Sequence, residues 1–238
     1  RFYRFHAHYG KGAADAAARA AARDLAPLLP TLSAERVAAE LLKLLAAPDP
    51  CPTLALMRED GVLAIVLPEA RTLDRLAALV PLEPAPPDPL RRLAALVAWD
   101  EAAADAAAAR LKLAAAARDR LAALAAPSWP VALAADDRAQ RRAIRRLGPA
   151  LYRDLVLLRA SEAAAPEAAR RLLDLAASWP PPRFPVRGRD VTARGVPAGP
   201  EVGRLLGAVE AWWEESDFHA TRAACLAELE RHIAARRG

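Results

Sequence analysis

Apolar residues recur along this chain at three- and four-residue intervals, the spacing that lines one face of a helix. Between residues 34 and 46, Val37, Leu41 and Leu44 form such a stripe, while Arg36, Glu40 and Lys43 line the opposite side. Ser33 stands where an N-cap is needed, and Pro48 and Pro50 lie beyond the helix end. Pro52 suits a first helical turn, and Gly61 suits the stop of the helix it opens. A short apolar piece from Val62 to Leu67 then halts at Pro68. Asp88-Pro89 predicts the cap and first turn of a helix reaching Trp99. Further helices are expected near 101–111, 114–126, 137–147, 149–160, 166–178, 190–194, 200–215 and 219–236. No strand-like alternation persists and no fixed period repeats, so the fold class predicted is all-α, an elongated array of helices.

Prolines punctuate that array twice. Pro81, Pro84, Pro86, Pro87 and Pro89 surround one polar break, and Pro180, Pro181, Pro182 and Pro185 mark a second. They divide the chain into regions of residues 1–80, 81–180 and 181–238.

Composition narrows the class. Hydrophobic residues make up 54% of the 238, much of it Ala, and aromatic residues only 5%, which favours close-packed helices over sheets. No apolar run approaches the roughly 18–20 residues that span a bilayer. Cys51 and Cys225 are far apart and in no metal-like spacing, which fits two thiols in a reducing cytoplasm. The net charge of +5 permits a polyanionic partner without requiring one. Lysine occurs only at 11, 43 and 112; the remaining cations are arginines, suited to bidentate phosphate contact and to stacking on bases. A GC-rich codon bias also raises Ala, Arg and Pro together, so the placement of the arginines has to decide.

Enzyme chemistry leaves no comparable mark. The chain has no glycine-rich phosphate loop, and its four histidines form no ligand cluster with the cysteines. No motif flanks a serine or cysteine nucleophile. The acidic pairs Asp136-Asp137 and Glu214-Glu215 sit at expected helix ends, where capping and solvation explain them. No active site or metal site is read from these residues.

Two basic features stand out. At the start, Arg1, Arg4 and His8 share one helical stripe and Phe2, Phe5 and Tyr9 the next, as in a helix that buries one edge and offers the other to an anion. Between 137 and 147, Arg138, Arg141, Arg142, Arg145 and Arg146 share one face, opposite Ala143, Ile144 and Leu147. Like charges at such spacing cost a few tenths of a kcal/mol per pair, so a partner is expected: RNA phosphate, or Asp and Glu of adjacent helices. Gly195 to Gly203 forms a third feature, a turn before a helix opened by Pro200, read either as a connector or as a phosphate-facing amide cluster.

The chain resembles the class II tRNA nucleotidyltransferase and poly(A) polymerase family in several segments. Arg1-Phe-Tyr-Arg-Phe5 is similar to the Arg-x-x-Arg-Phe helix that follows that family's Glu-Asp-x-x-Arg motif. Leu32-Ser-Ala-Glu-Arg-Val-Ala-Ala-Glu-Leu-Leu-Lys-Leu-Leu45 resembles the family's neck signature, and Leu56 to Glu69 resembles the segment ending in Pro-Glu. Gly188-Arg-Asp190 and Gly195 through Leu206 resemble a C-terminal motif with a Gly-Pro step. These occur in family order. The family's Asp-x-Asp metal pair and Glu-Asp-x-x-Arg motif do not occur here, and residues 90–180 carry no family motif.

The resemblance implies a neck (1–80), a body (81–180) and a tail (181–238) that hold RNA for an N-terminal catalytic head. That head would add CCA to tRNA 3′ ends from CTP and ATP, or adenylate other RNA, with Mg²⁺ on carboxylates outside this chain. It implies nucleotide contact by Arg1 and Arg4 and RNA contact by Arg36 and Lys43. The candidates it leaves for the body and tail are Arg138, Arg141, Arg142, Arg145, Gly199 and Arg204. It also implies that these residues alone transfer no nucleotide. An all-helical RNA- or protein-binding module without catalysis is the alternative.

Overall fold

The computed structural model describes residues 1–97 and 99–237. Among them it contains helices and no strands. The first five helices are α1 (Phe2–Tyr9), α2 (Ala16–Leu25), α3 (Ala34–Leu45), α4 (Cys51–Glu59) and α5 (Val62–Val66), with a 3₁₀ segment at Ala26–Thr31. There follow α6 (Asp74–Leu79), a 3₁₀ turn at Val80–Leu82, α7 (Pro89–Val97), α8 (Glu101–Arg110) and α9 (Ala115–Ala125). Next come α10 (Asp137–Leu147), α11 (Pro149–Glu162) and α12 (Pro166–Ser178). The last three are α13 (Gly188–Thr192), α14 (Pro200–Glu215) and α15 (Arg222–Arg237). The expected run of α7 across residue 98 lies outside the described residues.

Local chemistry sets most boundaries. The Ser33 hydroxyl accepts from the Arg36 amide at 3.3 Å, and Asp88 accepts from the amides of Leu90 and Arg91 at 3.0 Å. Asp15, Asp100 and Asp136 cap α2, α8 and α10 in the same way. Gly61 takes φ +71°, a left-handed turn that separates α4 from α5. Helix α6 is absent from the sequence-based expectation. Its six residues supply one apolar turn, too little for a periodic signal; Leu76 and Leu79 form it by full burial.

Buried side chains form two clusters. One runs from Tyr3 to Ala176, and the other from Val186 to Ile233. The break at 180–185 lies between the clusters, whereas the break at 81–89 lies inside the first. Prolines end helices without separating cores, and here α3 and α6 both pack on α7. Arg92, 1% exposed, fixes the crossing: its guanidinium donates to the carbonyls of Leu45 (2.7 Å) and Ala47 (2.5 Å) and to Glu83 (2.6 Å). Arg91 bridges Glu83 and Asp154 at 2.8 Å each, and Arg120 joins Asp154 to Asp88. The proline-rich segment is thus pinned on both sides by buried charge.

Candidate RNA-facing cleft

Helices α1, α2 and α3, with the adjoining 3₁₀ segment and parts of α4 and α5, enclose a cleft of about 740 Å³. Its floor is apolar, built from Leu29, Leu41, Leu44, Met57, Val62 and Val66. Its charged lining is Arg1, Arg4, Arg36, Lys43 and Glu40. The floor and rim follow from α3 itself. Ala38, Leu41, Leu44 and Leu45 are buried, so Arg36 and Lys43, two turns apart, share the outward face with Glu40.

The four neck candidates therefore meet at one opening, in different states. Arg1 is exposed. Arg4 donates from Nε to Glu40 at 2.7 Å, and its guanidinium lies 4.5 Å from the centre of the Phe5 ring. Glu40 shares the outer side of α3 with Arg36 and Lys43, and the chain fold brings Arg4 of α1 to it. Partial burial pushes the Glu40 carboxyl up, and the Arg4 hydrogen bond and charge outweigh that, holding it below the ordinary carboxylate value. Arg36 and Lys43 are exposed, and among the described residues their side chains make no ion pair.

Helix α1 buries a different edge from the aromatic stripe expected. Tyr3 is its buried residue, while Phe5 and Tyr9 are exposed, with ring centroids 6.1 Å apart. The reason lies across the fold: the Tyr3 hydroxyl donates to Asp60 at 2.9 Å. The same carboxylate accepts from Arg19 (2.8 and 3.0 Å) and Arg23 (2.9 Å) on α2. The Arg19 hydrogen bond, ahead of the opposing effect of burial, holds Asp60 well below the usual carboxylate range. Burial and the adjacent Asp60 push the Tyr3 phenol up. Helix α2 has no buried residue, so these bonds are its principal tie to the core. The sequence offered no signal for Asp60, because its partners lie 37 to 57 residues away.

The α10 face has its own partners. Arg138 donates to the Glu215 carbonyl, and Arg141 grips Asp217 through both nitrogens, Nε at 2.8 Å. Arg145 reaches Glu210 at 2.5 Å and Glu214 at 3.4 Å; Arg146 reaches Glu214 at 3.0 Å, and Arg142 approaches it at 3.9 Å. Of the two partners open from sequence, acidic side chains of a neighbouring helix are the ones in contact here. Glu214 corrects a second expectation. Read as a solvated helix end, it is 1% exposed and surrounded by three arginines. Asp136 does cap its helix, and Asp137 pairs with Arg171 at 2.7 Å. Gly199 precedes α14 at φ +157°, and the exposed Arg204 is paired with Glu201 one turn earlier. These two residues lie at the opposite end of α14 from Glu214.

Among the described residues no three His, Cys, Asp or Glu side chains gather in a way that could hold a metal ion. No helix among those residues is long and apolar enough to cross a membrane.

Comparison with known proteins adds one positive finding. No curated protein matches the chain. Residues 15–73, which carry α2 to α5 and most of the cleft, match the family described as the probable RNA and SrmB-binding site of polymerase A. The segment that walls the cleft is therefore similar to an RNA-binding part of the poly(A) polymerase and CCA-adding group of nucleotidyltransferases.

Proposed function

We propose that this chain is the RNA-holding part of a nucleotidyltransferase that adds CCA to tRNA 3′ ends. A poly(A) polymerase relative is the close variant. The observation that carries the reading is the convergence of Arg1, Arg4, Arg36 and Lys43 on one apolar-floored cleft, mostly within the matched segment. Arginine and lysine take phosphate oxygens, and an apolar floor accepts a base or ribose without reading its edge. Phe5 and Tyr9 offer exposed rings on which unpaired bases can stack. Arg1 and Arg4 face the incoming CTP or ATP in this reading, and Arg36 and Lys43 the RNA strand. Catalysis and Mg²⁺ belong to a head domain of the same protein.

The test is RNA binding by an R36E/K43E variant, measured with tRNA across salt concentrations. Affinity falls, and the salt slope drops by roughly 0.7–0.9 for each phosphate that is no longer neutralised. Unchanged affinity and slope in the folded variant refute the reading. Leu25, Leu28 and Leu32, exposed along this region, favour a second reading in which a protein partner docks there. Replacement of Leu28, which does not line the cleft, by Ser would then abolish partner binding and leave tRNA binding intact.

A further inference from the structure

Five arginines on one short helix are an expensive arrangement, and the way they are matched here is incomplete. Their partners on the facing side all come from the end of α14 and the turn after it. Glu210 and Glu214 lie one helical turn apart near the end of α14, and Asp217 follows in the turn after it. Four guanidinium groups, those of Arg141, Arg142, Arg145 and Arg146, share these three carboxylates. Donors exceed acceptors: the Nε atoms of Arg142 and Arg145 are buried and have no hydrogen-bond partner. A buried unpaired donor carries a real cost, which an anion richer in oxygens would remove.

The joint that these side chains form is mainly ionic. The close helix packings lie within one core or the other: α10 with α11 and α12 on one side, α13, α14 and α15 among themselves on the other. Across it run the arginine–carboxylate set, the Arg138 bond to the Glu215 carbonyl, a Trp179–Phe218 ring contact at 5.2 Å, and Arg145 over the Trp213 ring at 5.2 Å. The Arg141–Asp217 and Arg145–Glu210 pairs are partly exposed, so they weaken with salt and compete with other polyanions, whereas Glu214 is buried beneath them.

We propose that the arginine face of α10 is a second phosphate-binding surface, covered here by the carboxylates of α14 and uncovered when RNA phosphates displace them. The partner is an RNA backbone, recognised by charge and not by base sequence. Opening the joint releases Glu210, Glu214 and Asp217 to water and moves the second core off the first. The proposal rests on the RNA-holding reading for the identity of its ligand, but the surface itself is defined by α10 and α14 alone.

The experiment uses the full chain. Hydrogen exchange of residues 212–220 is followed at low salt, alone and with an adenine oligonucleotide or inorganic polyphosphate, in wild type and an E210Q/D217N variant. Either polyanion raises exchange in that segment of the wild type. The variant, with two competing anions removed, binds the oligonucleotide about tenfold more tightly, ~1.4 kcal/mol. Its salt slope is steeper by more than one unit. Polyanion binding that leaves the segment protected overturns the proposal, as does a folded variant with wild-type affinity and slope. Should the variant not fold, the wild-type exchange decides alone. If polyphosphate opens the joint while RNA does not bind at all, the RNA-holding reading fails and the covered phosphate surface stands.

Discussion

Replacing Arg92 by Met tests whether the proline-rich crossing is held by charge or by apolar packing. Met keeps the stem in its slot and removes the guanidinium alone. The carbonyls of Leu45 and Ala47, both on fully buried residues, then lose their donor. Each costs about 1–3 kcal/mol when left unmatched. Glu83, whose side chain is 2% exposed, loses one of two arginines and keeps Arg91 at 2.8 Å. The sum is about 3–5 kcal/mol, the range for breaking a buried ion pair on one side. That is a large share of the roughly 5–15 kcal/mol that holds a typical domain folded. Arg92→Lys, which retains one charge and fewer directed donors, should lose about half as much. Urea titration followed by circular dichroism gives both values, with an unchanged m-value showing that the same surface unfolds. A loss under about 1 kcal/mol for the Met variant would mean that water serves those carbonyls, and the argument for a pinned crossing fails.

Three further outcomes follow from the cleft and its supports. Asp60→Asn frees Arg19 and Arg23, so amide exchange across α2 rises while the two cores keep their protection; unchanged exchange in α2 refutes its attachment through Asp60. Because the folded carboxyl lies well below its ordinary value, the stability this attachment adds is complete above about pH 4 and declines progressively as pH falls from there through the lowered folded value, which exchange at stepped pH detects. Gly61→Ala places a side chain at φ +71° with no steric neighbour, so only backbone strain acts, and thermal unfolding should show a loss of about 1–2 kcal/mol.

Legibility followed the range of each interaction. Helices with a cap and a full apolar stripe are legible nearly to their ends: Ser33 opens α3, Asp88 opens α7, and Pro149 opens α11. Gly61 is recognisable as a stop because left-handed backbone has a local residue preference. Long-range pairing leaves no such mark. Arg4 finds Glu40 thirty-six residues on, Asp60 gathers three partners from two helices, and Glu214 is drawn under α10 from sixty-eight residues away. Acidic residues at a helix end look alike whether water or arginine meets them. The basic stripe on α10 is visible as a stripe, but whether carboxylates face it depends on how the second core docks. The rim of the cleft is legible as four cations and part of its floor as the Leu41–Leu44 stripe of α3, but the rest of the floor is not, since Met57 reaches it from α4 and Val62 and Val66 from α5.

The buried arginine beneath the proline-rich crossing has a consequence for how such a chain can be cut and recombined. Prolines in a run look like a seam, and a chimera joined at residue 85 would respect every helix boundary. It would also split one core, stranding α3 from the helix on which it packs and leaving the Glu83 and Arg92 charges with foreign partners. A join between 180 and 183 leaves both buried clusters whole, and its cost falls instead on the charges that cross it, because it parts Glu210, the buried Glu214 and Asp217 from the arginines of α10.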